Sequence, residues 1–137
     1  MKKARAFVDT NILVYMFAPD DEAKRLKAIA LVSSLGNQIV VSTQVLQEFY
    51  AVTTRKQLLD PRTARSIVQE FSEGEVVASS PSFVLEAIDL SMASGISIWG
   101  SLMVQAAIQS RCVRILTEDL NHGQVIKGVR IENPFLV

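Results

Sequence analysis

Short apolar segments alternate with longer amphipathic ones along the chain, and this alternation constrains the fold more than any other feature of the sequence. The segments that are apolar and short enough to be strands lie at residues 4–8, 38–41, 75–78, 112–116 and 129–132. Near-continuously apolar strands separated by helices are typical of a parallel sheet that is covered on both faces. We therefore predict an α/β fold, a three-layer α/β/α sandwich with a short-stranded, mostly parallel central sheet.

The helices between these strands are predicted from their start and stop signals. Asp60-Pro61 and Ser80-Pro81 each place a capping side chain before a proline that suits the first helical position. Gly36 and Gly95 are typical of the residue that ends a helix. The predicted helices span residues 12–17, 22–35, 43–56, 61–72, 81–94 and 98–110.

Composition narrows the class of protein further. The 137 residues fit one domain, residues 1–137, and 14 Lys and Arg balance 14 Asp and Glu, which argues against non-specific coating of nucleic acid. The lone Cys112 indicates a reducing compartment. The basic start with Lys2 and Lys3 is followed by an apolar stretch that Asp9 interrupts, and no apolar run reaches membrane-spanning length. We expect a cytoplasmic protein that does not enter a membrane.

Acidic residues follow two of the predicted strands. Asp9 comes directly after the strand at residues 4–8, and Glu118 and Asp119 follow the strand at residues 112–116. The carboxyl ends of parallel strands meet at one edge of a sheet, where α/β proteins bind ligands. Each acid also fits a second interpretation, in which Asp9 caps a turn and the other two are solvated loop residues.

Glu48 is the third acidic position of interest. Helical spacing aligns it with Val45, Phe49 and Val52, so an acid occupies a stripe that otherwise looks buried. A buried acid requires a hydrogen bond, a charged partner or a metal. The alternative is a glutamate at the margin of the stripe that reaches solvent. Carboxylates that converge from three positions suit Mg²⁺ or Mn²⁺.

Other α/β sites lack their sequence signatures. The chain has no Gly-rich dinucleotide or P-loop motif after a strand. An aspartyl-phosphate enzyme could use Asp9 as its nucleophile, but the commonest pattern requires a second Asp where Asn11 stands. His122 is the only histidine, and beside Gly123 it fits a turn better than a catalytic triad, since no Gly-x-Ser-x-Gly elbow is present.

Three motifs resemble the acidic motifs of the PIN-domain nucleases, and the resemblance covers essentially the whole chain. They are Phe7-Val8-Asp9-Thr10-Asn11-Ile12-Leu13-Val14-Tyr15, Val45-Leu46-Gln47-Glu48-Phe49-Tyr50 and Leu116-Thr117-Glu118-Asp119-Leu120. Length and element order are similar to those of the VapC-type toxins of bacterial toxin-antitoxin pairs, which are single PIN domains.

The resemblance implies that Asp9, Glu48 and Asp119 are the catalytic carboxylates and the metal ligands. It implies hydrolysis of RNA phosphodiesters by an endoribonuclease that depends on Mg²⁺ or Mn²⁺. Supporting roles, such as orienting a ligand or a bound water, fall to Thr10, Asn11, Ser97 and Glu118.

One position departs from the family pattern. Family members usually have a segment that resembles Ser-x-x-Asp-Ala-Leu-Ile, and here Ser97-Ile98-Trp99-Gly100-Ser101-Leu102-Met103 aligns with it, so Gly100 stands at the expected acidic position. Glycine is unfavourable within a helix and Asp is favoured near a helix N-terminus, so local physics gives no reason for Gly100. We expect weakened metal binding and much reduced cleavage. A naturally degenerate nuclease and a variant selected or engineered for inactivity would both show this residue.

The partners follow from the same resemblance. RNA requires positive charge near the acidic site, for which Arg55 and Lys56 are the best candidates, with a solvated helix face as the alternative. A cognate antitoxin and a homodimer are expected of a VapC-like protein. The leading hypothesis is therefore a toxin ribonuclease, weakened or inactive because of Gly100. The alternative is a non-catalytic PIN-like module that binds RNA or a protein.

Overall fold

The computed structural model describes residues 4–136, so the basic residues Lys2 and Lys3 lie outside the described part of the chain. Its strands are β1 (Arg5–Val8), β2 (Ile39–Ser42), β3 (Glu75–Val77), β4 (Cys112–Leu116), β5 (Val125–Ile126) and β6 (Val129–Glu132). Its helices are α1 (Thr10–Tyr15), α2 (Glu22–Leu35), α3 (Thr43–Arg55), α4 (Pro61–Ser72), α5 (Pro81–Ser94) and α6 (Ile98–Gln109), with a short 3₁₀ helix at Gly36–Gln38.

The strands form one sheet in the order β3-β2-β1-β4-β6-β5. Every neighbouring pair is parallel except β5 and β6, which are antiparallel. The predicted α/β class with a mostly parallel sheet is therefore confirmed. The sequence pattern missed β5, because two residues are too few to show a strand period.

Helices cover both faces of the sheet. Ala6, Phe7 and Val8 are consecutive in β1 and fully buried, and consecutive strand residues point to opposite faces. Helix α6 contacts β1, β2 and β4, while α1, α2, α3 and α4 pack against one another. The core lies between these helices and the central strands.

Side chains at the helix starts explain where the helices begin. Ser42, Asp60, Ser80 and Ser97 each accept a hydrogen bond from a backbone N–H in the first turn, as expected of N-cap residues. Helix α1 begins at Thr10, two residues before the predicted start, because the Asp9 carboxylate caps it.

Within residues 4–136, no single helix is both long and apolar enough to cross a membrane. Helices α5 and α6 reach the required length and hydropathy only as a pair, and they are bent by 115° at the break between them.

Candidate active site

A cleft opens at the carboxyl ends of the central strands. Strand β1 pairs with β2 on one side and with β4 on the other, so the strand order reverses at β1. Such a reversal leaves a crevice at the carboxyl ends of the strands. The cleft has a volume of about 310 Å³. Its lining consists of Asp9, Thr10, Ser42, Gln44, Val45, Glu48, Ser79, Phe83, Ser97, Trp99, Gly100, Leu102, Met103, Asp119 and Leu120.

Asp9 lies buried at the end of β1, with 8% of its surface exposed. Its Oδ1 accepts a hydrogen bond of 2.7 Å from the Thr10 backbone N–H, and its Oδ2 accepts one of 2.7 Å from the Thr117 hydroxyl. The carboxylate therefore caps α1, as the second interpretation of the sequence held, and it also lines the cleft.

Burial raises the pKa of Asp9 from its usual value near 3.8 to about 6. Hydrogen bonds from Thr117 and Thr10 oppose this rise, and the negative charge of the nearby Asp119 adds to it. A buried carboxylate beside a second acid is a site where a cation would relieve both the desolvation and the repulsion.

Glu48 lies at the margin of the apolar face of α3. Val45 and Phe49 are buried, whereas Glu48 is exposed. The structure therefore shows the second of the two positions considered for Glu48, at the margin of the stripe and in contact with solvent. Its carboxylate is nevertheless held in place, because it accepts hydrogen bonds from Gln44 Nε2 at 2.7 Å and from the Thr10 hydroxyl at 3.1 Å.

Threonine hydroxyls connect the three acidic positions. Thr10 donates its hydroxyl to Glu48 and its backbone N–H to Asp9. Thr117 donates its hydroxyl to Asp9 and accepts a hydrogen bond of 3.1 Å from the backbone N–H of Asp119. Glu48, Asp9 and the loop that carries Asp119 are thus joined by neutral groups that fix the carboxylates without neutralising them.

These carboxylates are compatible with a Mg²⁺ site of low protein coordination. Among residues 4–136, no three His, Cys, Asp or Glu side chains lie close enough together to hold a metal ion. Mg²⁺ commonly takes only one or two protein carboxylates and keeps several waters. The adjacent pair of Asp9 and Asp119 meets that requirement. Glu48 is connected to Asp9 through Thr10, which donates a hydrogen bond to each carboxylate.

Gly100 lies next to the side chain of Leu120 in the lining of the cleft. A Cβ atom at position 100 would lie 2.9 Å from Leu120 Cδ2 and 3.4 Å from Ser97 Oγ. Any side chain at position 100 therefore requires the end of the Leu120 side chain to move. This contact gives a tertiary reason for a glycine that the local sequence does not explain.

Ser97 and Glu118 occupy different surroundings. Ser97 lines the cleft, and its hydroxyl accepts a hydrogen bond of 3.0 Å from the Gly100 N–H. Glu118 turns away from the cleft lining and binds Lys24 at 2.9 Å and the Tyr15 hydroxyl at 2.5 Å. The structure thus gives Glu118 the role of tying the loop after β4 to α1 and α2.

The other predicted residues do not line the cleft. Asn11 is half-buried and lies outside the lining. Arg55 and Lys56 are exposed at the far end of α3, and Arg55 is about 10 Å from Glu48 along the helix axis. Among the described residues of the lining, none is Lys or Arg. RNA binding by Arg55 and Lys56 stays a prediction.

Sequence reasoning overlooked four residues that shape the cleft. Gln44 precedes Glu48 by four residues, a spacing that brings two side chains together on a helix, so this contact had a detectable signal. Thr117 is 108 positions from Asp9, and Leu120 meets Gly100 only in the fold, so neither contact has a local signature. Trp99 lines the cleft although nothing in its own segment marks it as a site residue.

These features define a class of protein, an α/β domain with a carboxylate-lined cleft where the strand order of its sheet reverses. By sequence, the chain matches the PIN domain family over residues 6–127 and therefore belongs to that family. A comparison with curated proteins finds no significant match.

Solved structures share the fold at low sequence identity. A toxin-antitoxin complex from Klebsiella pneumoniae superposes with a TM-score of 0.73 and 17% identity, over 96% of this chain and 99% of that one. DNA-bound VapBC from Salmonella typhimurium gives 0.66 and 18%, over 96% and 99%. VapC20 of Mycobacterium tuberculosis, a toxin that cleaves the sarcin-ricin loop, gives 0.67 and 15%, over 83% and 91%.

Proposed function

We propose that the chain is an endoribonuclease that depends on Mg²⁺ or Mn²⁺, with Asp9, Glu48 and Asp119 as its catalytic carboxylates. One observation carries the proposal: Asp9 is buried in a cleft that the other two acids also line, and no Lys or Arg of that lining offsets their charge. Membership of the PIN domain family supports the same chemistry.

Asp9 and Asp119 would hold the metal, with Glu48 contributing directly or through a water. A divalent cation bound there would activate water for attack on the phosphodiester and would stabilise the charge on the leaving oxygen. Thr10 and Thr117 keep the Asp9 carboxylate oriented, and Gln44 does the same for Glu48. The residues of this chain therefore act mainly by positioning negative charge in a partly enclosed cleft.

Gly100 makes the proposed nuclease a weak one. The family's fourth acid is missing at this position, so the cleft offers fewer oxygen ligands and less negative charge. This observation also favours the alternative function, a PIN-like module that binds RNA or a protein in the same cleft without cutting.

The proposed biological role is that of the toxin in a toxin-antitoxin pair, acting on RNA in the cytoplasm. Structures of toxin-antitoxin complexes share the fold over nearly their whole chains, which supports an antitoxin protein as partner. A homodimer is part of the proposal. The exposed apolar residues Leu85, Ile88 and Met92 recur at helical spacing on α5 and would suit such contacts.

Cleavage of a mixed pool of single-stranded RNA in Mn²⁺ tests the enzymatic function. We expect slow cleavage by the chain as it stands and at least a tenfold loss in Asp119→Asn, since removal of a group that acts on transition-state charge typically costs about 10²-fold or more. Asp89→Asn is the matched control, because Asp89 is an exposed acid of α5 outside the cleft lining. Equal cleavage by both variants would contradict the assignment of Asp119.

A metal titration separates the two candidate functions. A nuclease should show a rise in melting temperature with Mn²⁺ that Asp9→Ala abolishes. A binding module should bind RNA or its protein partner equally well with Mn²⁺ and with EDTA. Metal-independent binding together with undetectable cleavage would favour the binding module.

A further inference from the structure

Trp99 is the single tryptophan of the chain, and it stands exposed at the wall of the cleft. It lies in the first turn of α6, next to Gly100, with 65% of its surface accessible to solvent. A large aromatic side chain is usually well buried in a domain of this kind. An exposed indole that lines the same cleft as three carboxylates is a candidate contact for a ligand that enters the cleft.

The side chains that line the cleft are of two chemically different kinds. Asp9, Glu48 and Asp119 are acidic, whereas the apolar ones include Phe83, Trp99, Leu102, Met103 and Leu120. A ligand that suits both kinds has a charged group that reaches the carboxylates through a cation and a flat or apolar group that packs on the apolar side chains. A nucleotide, with its phosphate and its base, has this construction.

Charge in the cleft points to the base as the main direct contact with protein. No Lys or Arg is present among the described lining residues, so side-chain cations do not bind the phosphate there. The three carboxylates repel a phosphate unless a divalent ion intervenes. Affinity supplied by the protein surface inside the cleft therefore comes from its neutral side chains, of which Trp99 is the largest.

We propose that Trp99 stacks against an unpaired nucleobase next to the phosphate that lies at the carboxylates. This inference rests on the proposed function for its substrate, an RNA strand. Bases in a duplex are stacked on one another and hidden from such a side chain, whereas bases in single-stranded loops and ends stack readily on aromatic residues. Trp99 thereby restricts the substrate to single-stranded segments and sets the position of the strand relative to Asp9.

Fluorescence of Trp99 tests the inference directly, because every photon of tryptophan emission comes from this residue. The full chain is titrated in Ca²⁺ with a short single-stranded RNA, with the same strand in a duplex, and with a ribose-phosphate strand of equal length that lacks bases. We expect quenching by the single strand alone. Equal quenching by all three, or no quenching by the single strand, overturns the inference.

Substitution supplies a second readout. Trp99→Ala should weaken binding of the labelled single strand by about 5- to 100-fold in an anisotropy titration, as loss of one base stack typically does. Trp99→Phe keeps a stacking ring and should retain most of the affinity. Leu26→Ala is the control, because Leu26 is also exposed and apolar but lies outside the cleft lining. Unchanged affinity in Trp99→Ala overturns the inference.

The two proposals fail in different ways. Quenching by single-stranded RNA without cleavage in any divalent metal supports the role of Trp99 and contradicts the nuclease. Cleavage that is unaffected by Trp99→Ala supports the nuclease and contradicts the stacking role. A change in Trp99 emission on addition of a protein partner, with no response to RNA, assigns Trp99 to that partner and overturns the inference.

Discussion

Gly100→Asp restores the family's fourth acid and tests whether this position limits the activity. The new Cβ would stand 2.9 Å from Leu120 Cδ2, so the leucine side chain must move. Because the contact is with the far end of a flexible side chain, we expect the overpacking to cost about 1 to 2 kcal/mol, the lower part of the range for overpacked sites.

Two local gains offset that cost. Replacing a helical glycine gains up to about 0.5 kcal/mol, and an acid in the first turn gains about 0.3 to 1 kcal/mol through the helix dipole. The free energy of unfolding of the metal-free variant should therefore lie within about 2 kcal/mol of that of the parent chain. The main measurable effect is on the affinity for Mn²⁺. Because loss of even an outer partner of a metal site costs about 10- to 100-fold in affinity, an added carboxylate should tighten Mn²⁺ binding at least 10-fold.

Isothermal titration with Mn²⁺ and cleavage of single-stranded RNA measure this effect. Gly100→Ala is the matched control, because it adds the same Cβ against Leu120 without a carboxylate. Combining Gly100→Asp with Leu120→Ala removes the steric conflict and should give the largest gain. Equal metal affinity and equal cleavage in Gly100→Asp and Gly100→Ala would refute the reasoning, because the effect would then be steric.

Two further predictions concern stability. The pKa of Asp9 is about 6 in the fold, against a usual value near 3.8. The charge of Asp9 therefore lowers the free energy of unfolding of the metal-free protein fully above pH 6, and this loss becomes smaller as the pH falls towards 4. Asp9→Asn should therefore raise the free energy of unfolding at pH 7.5 in EDTA by up to about 3 kcal/mol. Urea unfolding between pH 4.5 and 7.5 should show this gain becoming smaller as the pH falls. A gain that stays constant would contradict the raised pKa of Asp9. Lys24→Met removes the ion pair with Glu118 at 2.9 Å and the approach of its ammonium to the Tyr15 ring at 4.7 Å. It should lower stability by about 1 to 2 kcal/mol in thermal unfolding, against no change in the exposed Lys27→Met, and an equal loss in both variants would show that the cluster contributes nothing specific.

The sequence predicts the framework of the fold because its signals are local. Capping residues such as Asp60 and Ser80 precede prolines, and each caps its helix through a bond to a residue three positions on. The strand β4 and the helix α2 have the predicted bounds for the same reason, since apolar runs and terminating glycines act within a few residues.

The site is predictable only in part, because its geometry depends on distant residues. The candidate residues Asp9, Glu48 and Asp119 are predicted from their order and spacing along the chain, and the fold brings all three to one cleft. The contact between Gly100 and Leu120 joins segments that no local pattern connects, so a glycine that looks unfavourable in its helix has its reason in the loop opposite. Glu118 differs from its neighbour Asp119 in the same way, since Lys24 and Tyr15 on the preceding helices take it out of the cleft.

The ends of the sheet limit how the protein can associate with itself. The strand at one edge, β3, has three residues, and Glu75 within it also pairs with Arg5 of β1. At the other edge, β5 has two residues and is folded back on β6 through Lys127 and Gly128, which both have positive φ. Short edge strands offer few free backbone groups to a second sheet. Copies of this chain that meet at high concentration should therefore resist polymerisation through the edges of their sheets.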